Sequence, residues 1–278
     1  MTERRPTPSG GGSGAVGRAD GLPSIPNLRD IGGHPTRGGG RVRTGLVYRS
    51  VDLSHLDDHG AAALAALGVR VVYDLRTDAE RAMAPDRLPP GADLVVADVF
   101  ADDVGASPAA FGPILEDPAA AERALGNGRS ARFFLEKYRE FVTLPSAIVA
   151  YQRLYTGLAR TDGRPALVHC TTGKDRTGWA VAALLLLLDV PVEHVMEDFL
   201  ASGPALAPIM QPALDEFRSR GGDVALLEPL VGVRSAYLES ALDEVRVVYG
   251  SLEGWFSAGL GIDEAGQDAL RSALVEHA

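Results

Sequence analysis

Cysteine is nearly absent from this 278-residue chain, Cys170 being the single one. A disulfide framework within the chain and a multi-cysteine metal site are thereby excluded. The lone thiol is either inert or the centre of the chemistry. Long apolar runs are lacking too: the most apolar stretch, residues 180–188, falls well short of the roughly 20 needed to cross a bilayer. Gly, Ser and Pro follow the arginines near the start, where a signal peptide would need apolar residues. Cytoplasm is the expected location, with leaderless export left open. Positive charge is in deficit, with 27 Lys and Arg against 37 Asp and Glu, a net charge of −10. Such a chain has no global attraction for nucleic acid or an anionic membrane, so any anion site must be a local concentration of positive potential.

What is present can build a sizeable core: 46% of residues are hydrophobic and 23% charged, ordinary for a globular domain. Pro, Ser and a Gly-Gly-Gly-Ser-Gly tract make residues 1–24 read as a disordered tail, and residues 25–278 as one domain. Strands are expected at 46–49, 69–75, 94–99 and 166–169, the second nearly continuous in apolar character, as in a strand covered on both faces. Helices are expected at 61–67, after the cap-like Ser54-His55-Leu56-Asp57 and stopped by Gly68, and along the apolar spacing Phe134 to Leu158, interrupted at Pro145. Residues 101–130 show no clear period and read as a long mobile insertion. Helical stripes dominate after Gly178. Strands alternating with helices early and helices prevailing late predict an α/β fold: a parallel-rich sheet flanked by helices, with a helical C-terminal portion.

The informative segment is His169-Cys170-Thr171-Thr172-Gly173-Lys174-Asp175-Arg176-Thr177-Gly178. A strand ends at Cys170 and a helix begins near Arg176, so the backbone N–H groups between them can converge on one point. Together with the positive end of the helix dipole they form an anion site. Gly173 supplies the freedom a tight nest requires, and the same field favours thiolate over thiol. Arg176 adds a planar fork matched to two phosphate oxygens. A nucleotide-binding P-loop reading of Gly173-Lys174 fails, because Asp175 stands where Ser or Thr is required and Val168 where Gly is required. A single cysteine is most often a small buried hydrophobe. It is the joint pattern of strand, His-Cys, five residues, Arg-Thr and apolar helix that overturns that reading.

The segment resembles the signature of the cysteine-dependent protein tyrosine phosphatases, in which Cys, five residues and Arg are followed by Ser or Thr. Similarity extends to the atypical bacterial tyrosine/serine phosphatases. It runs through Asn27-Leu28-Arg29-Asp30-Ile31-Gly32-Gly33, Tyr48-Arg49-Ser50, Tyr73-Asp74-Leu75-Arg76, Gly232-Val233-Arg234-Ser235-Ala236-Tyr237-Leu238 and Tyr249-Gly250-Ser251-Leu252. The resemblance implies a two-step hydrolysis of phosphotyrosine, extending to phosphoserine and phosphothreonine. Cys170 would attack phosphorus and form a phosphocysteine. Phosphate would be bound by Thr171, Thr172, Gly173, Lys174, Asp175 and Arg176. His169 would orient the loop, and Thr177 would donate to the departing sulfur. No metal or other cofactor is implied, since arginine and amides supply the charge.

A carboxylic acid must protonate the leaving group. Asp74, at the carboxyl end of a strand, is preferred to Asp175, which lies within the loop; the plainer roles are pairing with Arg76 or Arg49 for Asp74 and loop stiffening for Asp175. Lys174 beside Arg176 could meet a second phosphate, which makes phosphoinositides an alternative substrate class. Residues 192–220 carry apolar stripes between Gly203-Pro204 and Gly221-Gly222, and by resemblance form a helical lid; a fixed helical layer is the competing reading. A catalytically silent phosphate-binding module is disfavoured because nucleophile, arginine and candidate acids are all present. A sulfur-transfer or arsenate-reducing enzyme is disfavoured because Cys170 has no resolving partner in the chain.

Overall fold

The structure is a computed structural model that describes residues 22–103, 116–160 and 163–277. Its centre is a five-stranded sheet of short strands: β1 (Arg29–Asp30), β3 (Val47–Ser50), β4 (Val71–Asp74), β5 (Asp93–Val96) and β6 (Ala166–His169). They lie in the order β1-β3-β6-β4-β5. All pairings are parallel except β1 with β3. The strand that precedes Cys170 is thus the middle one, and β3, β4 and β6 are buried at every position. Fully covered parallel strands require apolar side chains on both faces, as Val71-Val72 and Ala166-Leu167-Val168 provide. A second, two-stranded sheet pairs β2 (Arg41–Val42) with β7 (Val275–Glu276).

Helices α1 (Asp58–Ala66) and α2 (Asp78–Met83) follow β3 and β4. The cap of α1 is Asp57, whose carboxylate accepts from the Gly60 N–H at 2.7 Å. After β5 come α3 (Pro118–Leu125), α4 (Arg129–Thr143) and α5 (Pro145–Ala159), with Pro145 at the first position of α5, where its missing N–H costs nothing. The helix α6 (Arg176–Leu187) runs through the centre and is buried along nearly its whole length, which is why its sequence is apolar on all sides. Trp179 packs on Trp255 with ring centroids 5.1 Å apart. Then come α7 (Val192–Leu200), α8 (Ser202–Ser219), α9 (Glu228–Val231), α10 (Ser235–Tyr249), α11 (Leu252–Gly254) and α12 (Glu264–Leu274).

The α/β class, the parallel-rich sheet and the helical C-terminal portion are as the sequence predicts. One expectation is modified, and another lies largely outside the described residues. Within the span 101–130 expected as an insertion, residues 104–115 lie outside the described ones. The described remainder includes α3, with Asp117 capping the Ala119 N–H at 2.9 Å and Pro118 at its start. Ala121 and Leu125 are buried against Phe217 and Leu227, so this part is a packed helix. The expected tail 1–24 lies outside the described residues except for Leu22, Pro23 and Ser24, and Ser24 donates to Asp57 at 2.9 Å.

Leu185 is fully buried in α6. Leu185→Ala removes its packing and leaves a cavity, and is expected to cost about 2–5 kcal/mol. Urea unfolding tests this through a lowered midpoint with an unchanged slope; an unchanged midpoint contradicts the central place given to α6.

Candidate active site

The site forms where β6 ends and α6 begins, at the carboxyl edge of the sheet, where open α/β sheets bind ligands. Gly173 sits at φ +66°, and a Cβ there would lie 2.0 Å from the Ser50 carbonyl oxygen, so no other residue fits this turn. Asn27 Nδ2 donates to the Thr172 carbonyl at 3.1 Å, and Arg49 Nη2 donates to the Gly173 carbonyl at 2.7 Å. In a trans peptide the N–H points opposite to the C=O. These two contacts therefore send the N–H groups of Gly173 and Lys174 the other way. Arg49 is fixed by Asp198 at 2.6 Å, and Asp198 also takes Arg29 at 2.7 Å. Burial is the largest influence on both Arg49 and Asp198 and opposes their charges. It carries Arg49 down to about 10. For Asp198 the two guanidiniums outweigh it and hold the carboxyl well below the usual range.

Arg176 is 2% exposed and does not stand alone: its Nη1 and Nη2 each donate at 2.7 Å to one oxygen of Glu80. Phe100 lies under the guanidinium, 5.5 Å from ring centre to carbon. Glu80 also closes a capping box with Thr77 at the start of α2 and accepts from the Thr171 hydroxyl. Burial alone would raise its pKa, but Arg176, Thr171 and the Thr77 N–H outweigh it and bring it to about 2. The cysteine motif carries no pointer to Glu80, although Thr77-x-x-Glu80 is a readable cap signature.

His169 Nδ1 donates to the Cys170 carbonyl at 3.0 Å, and its Nε2 lies 3.1 Å from Asp86. Burial disfavours its charge, yet the carboxylates of Asp86 and Asp74 raise its pKa above the ordinary value. Asp74, Asp86 and His169 converge as a metal site would. Arg76 already supplies their cation, with Nη2 at 2.8 Å from each aspartate.

Of the residues singled out in the sequence, Cys170, Thr171, Thr172, Lys174, Asp175 and Arg176 line one cavity of about 230 Å³. The rest of its lining is largely apolar and includes Phe133, Phe134, Met210 and Leu214. Gly173 shapes the turn behind it. Thr177 is buried, and its hydroxyl has no hydrogen-bond partner among the described residues. Asp74 is elsewhere: it is fully buried beside the end of β6, with both oxygens on Arg76 at 2.8–3.2 Å. Within residues 192–220, α8 contributes Met210, Ala213 and Leu214 to the lining of the same cavity.

A parallel-rich α/β sheet whose central strand leads through Cys170 and an arginine-closed turn into a buried helix is the architecture of a protein-tyrosine phosphatase. The comparisons agree. The tyrosine phosphatase family matches residues 21–276, and the chain belongs to that family. It is 33% identical to the triple specificity protein phosphatase PtpB of Mycobacterium tuberculosis, across 91% of this chain and 98% of that protein. It is 30% identical to a Cupriavidus necator protein named as a tyrosine-protein phosphatase, across 87% of this chain and 84% of the relative. No helix among the described residues is long and apolar enough to cross a membrane.

Removing the charge of Glu80 leaves Arg176 without its buried partner, so Glu80→Gln should lower stability by about 3 kcal/mol at neutral pH. The folded-state value of about 2 lies below the ordinary 4.5. The contribution is therefore complete above about pH 4.5 and fades as the pH falls toward 2. Denaturant unfolding across that window should show the gap between wild type and variant narrowing; a gap that stays constant contradicts the pairing.

Proposed function

We propose that the chain hydrolyses phosphotyrosine through a covalent phosphocysteine on Cys170, with phosphoserine and phosphothreonine as further substrates. The observation that carries this reading is the single cavity that Cys170, the loop residues and Arg176 line together. Phosphate bound in that cavity would bring phosphorus against the sulfur, with the leaving oxygen opposite it, as in-line displacement at phosphorus requires. Glu80 takes the two-nitrogen fork of Arg176 that the sequence reading matched to phosphate, and the guanidinium so held in plane sets its positive charge beside the equatorial oxygens. The loop amides, with their carbonyls drawn outward by Asn27 and Arg49, supply the remaining donors. The bond from sulfur to phosphorus forms as the bond from phosphorus to the phenolic oxygen breaks. Water then attacks the phosphocysteine, releasing inorganic phosphate and restoring the thiolate. Thr177, with its hydroxyl buried and unpartnered among the described residues, is available to donate to the sulfur as it leaves.

We assign the acid role to Asp175 in preference to Asp74, the residue favoured from the sequence. Asp74 has both oxygens on Arg76 and no surface toward the cavity, whereas Asp175 lines it with a side chain 17% exposed. Asp175 would protonate the departing phenolate and then, as carboxylate, take a proton from the attacking water. The M. tuberculosis relative bears a triple-specificity name, and Lys174, 5.0 Å above the Phe134 ring, adds a cation at the cavity. The name supports a substrate range beyond phosphotyrosine, and the cation supports phosphoinositides as an alternative substrate class.

The test is release of phosphate from a phosphotyrosine peptide. Wild type should be active and inhibited by vanadate, and Cys170→Ser inactive. Asp175→Asn should lose roughly 100-fold or more, while Asp74→Asn retains the wild-type pH profile. A Cys170→Ser protein that keeps its activity defeats the reading, and an Asp74→Asn profile without its basic limb returns the acid to Asp74.

A further inference from the structure

We infer that Tyr138 is a positioning residue for the acid, holding the Asp175 carboxyl in the cavity by a hydrogen bond from its buried hydroxyl. This rests on the reading of Asp175 as the acid. Asp175 occupies the residue before α6, a place where an aspartate ordinarily turns its side chain onto the helix's free N–H groups. Here it does not. Its backbone is at φ −90°, ψ −75°, in the helical region, and its carboxylate makes no capping bond. Instead Tyr138 donates to Oδ1 at 3.0 Å, and Lys174 Nζ stands 3.3 Å from Oδ1 and 3.2 Å from Oδ2.

Nothing lets the phenol drift. Tyr138 is completely buried on α4, its ring 5.0 Å from Phe141, 6.0 Å edge-on to Phe199 of α7 and 5.6 Å from Tyr237 of α10. Burial, with the negative charge of Asp175 beside it, raises its pKa well above the ordinary value. The hydroxyl therefore stays protonated and has a proton to give. Lys174 is anchored elsewhere as well, donating to the Gly232 carbonyl at 3.1 Å. Without the phenol, Lys174 is the hydrogen-bond partner left to the carboxyl among the described residues, and it draws the carboxyl to itself as an ion pair. The hydroxyl thus sets where the acid stands, while the cradle for phosphate is built by other residues.

The experiment measures kcat/KM, which reports the steps up to the phosphocysteine, for a series of aryl phosphates of increasingly poor leaving group. Wild type, Tyr138→Phe, Asp175→Asn and the double variant are compared. Phenylalanine keeps the ring and its packing. Tyr138→Phe should lose roughly 10-fold or more on the poorest leaving group, with the loss shrinking as the leaving group improves. Added to Asp175→Asn, it should cause little further loss. A uniform loss along the series, a full additional loss in the double variant, or no loss beside a steep Asp175→Asn series overturns the inference alone. If Asp175→Asn itself shows no dependence on the leaving group, the acid assignment falls and this inference with it.

Discussion

Two backbone carbonyls govern this site. Those of Thr172 and Gly173 are captured from outside the loop by Asn27 and Arg49, and a planar peptide that gives up its carbonyl to one side must offer its N–H to the other. Everything expected of the cradle follows from that constraint. Gly173 is needed because the turn so formed passes against the Ser50 carbonyl, where a side chain has no room. Arg49 must be rigid to do this, and Asp198 makes it so, which ties the loop to α7. The early motif around Asn27 and the helix that carries Asp198 are therefore tied to one and the same loop.

An acidic protein that binds an anion has to isolate its positive charge. This chain does so by burying guanidiniums with matched carboxylates: Arg29 and Arg49 on Asp198, Arg76 on Asp74 and Asp86, and Arg176 on Glu80. Such pairs add little net stability against apolar side chains of the same volume, yet breaking one is costly. Their value is in fixed orientation. Glu80 presents both oxygens to Arg176, so the guanidinium plane is set before any ligand arrives, and a preset donor needs no rearrangement when charge develops.

The cysteine loop and the fold class were legible because their signals are local. Strand, turn and helix sit within a few residues, and the glycine, the arginine and the apolar run each have one physical reason to be there. What escaped depends on distance. Glu80 reads as a helix cap from its neighbours, and only the fold brings it to Arg176, 96 positions away. Asp74 and Asp175 could not be ranked by position in the chain, since both stand at the carboxyl edge of the sheet; the pairing of Asp74 with Arg76 is what separates them. The helix α3 was hidden because Ala-rich segments lack apolar contrast, although Asp117-Pro118 marks its start. β1, β2 and β7 are too short to carry a period.

The central claim is that Cys170 itself takes the phosphoryl group. Rapid acid quenching during turnover of a phosphotyrosine peptide, followed by mass spectrometry of the Cys170 peptide, observes this directly. The account predicts a phosphorylated sulfur whose formation and decay match the turnover rate. Sulfur that stays unmodified while phosphate is released at full rate would contradict it.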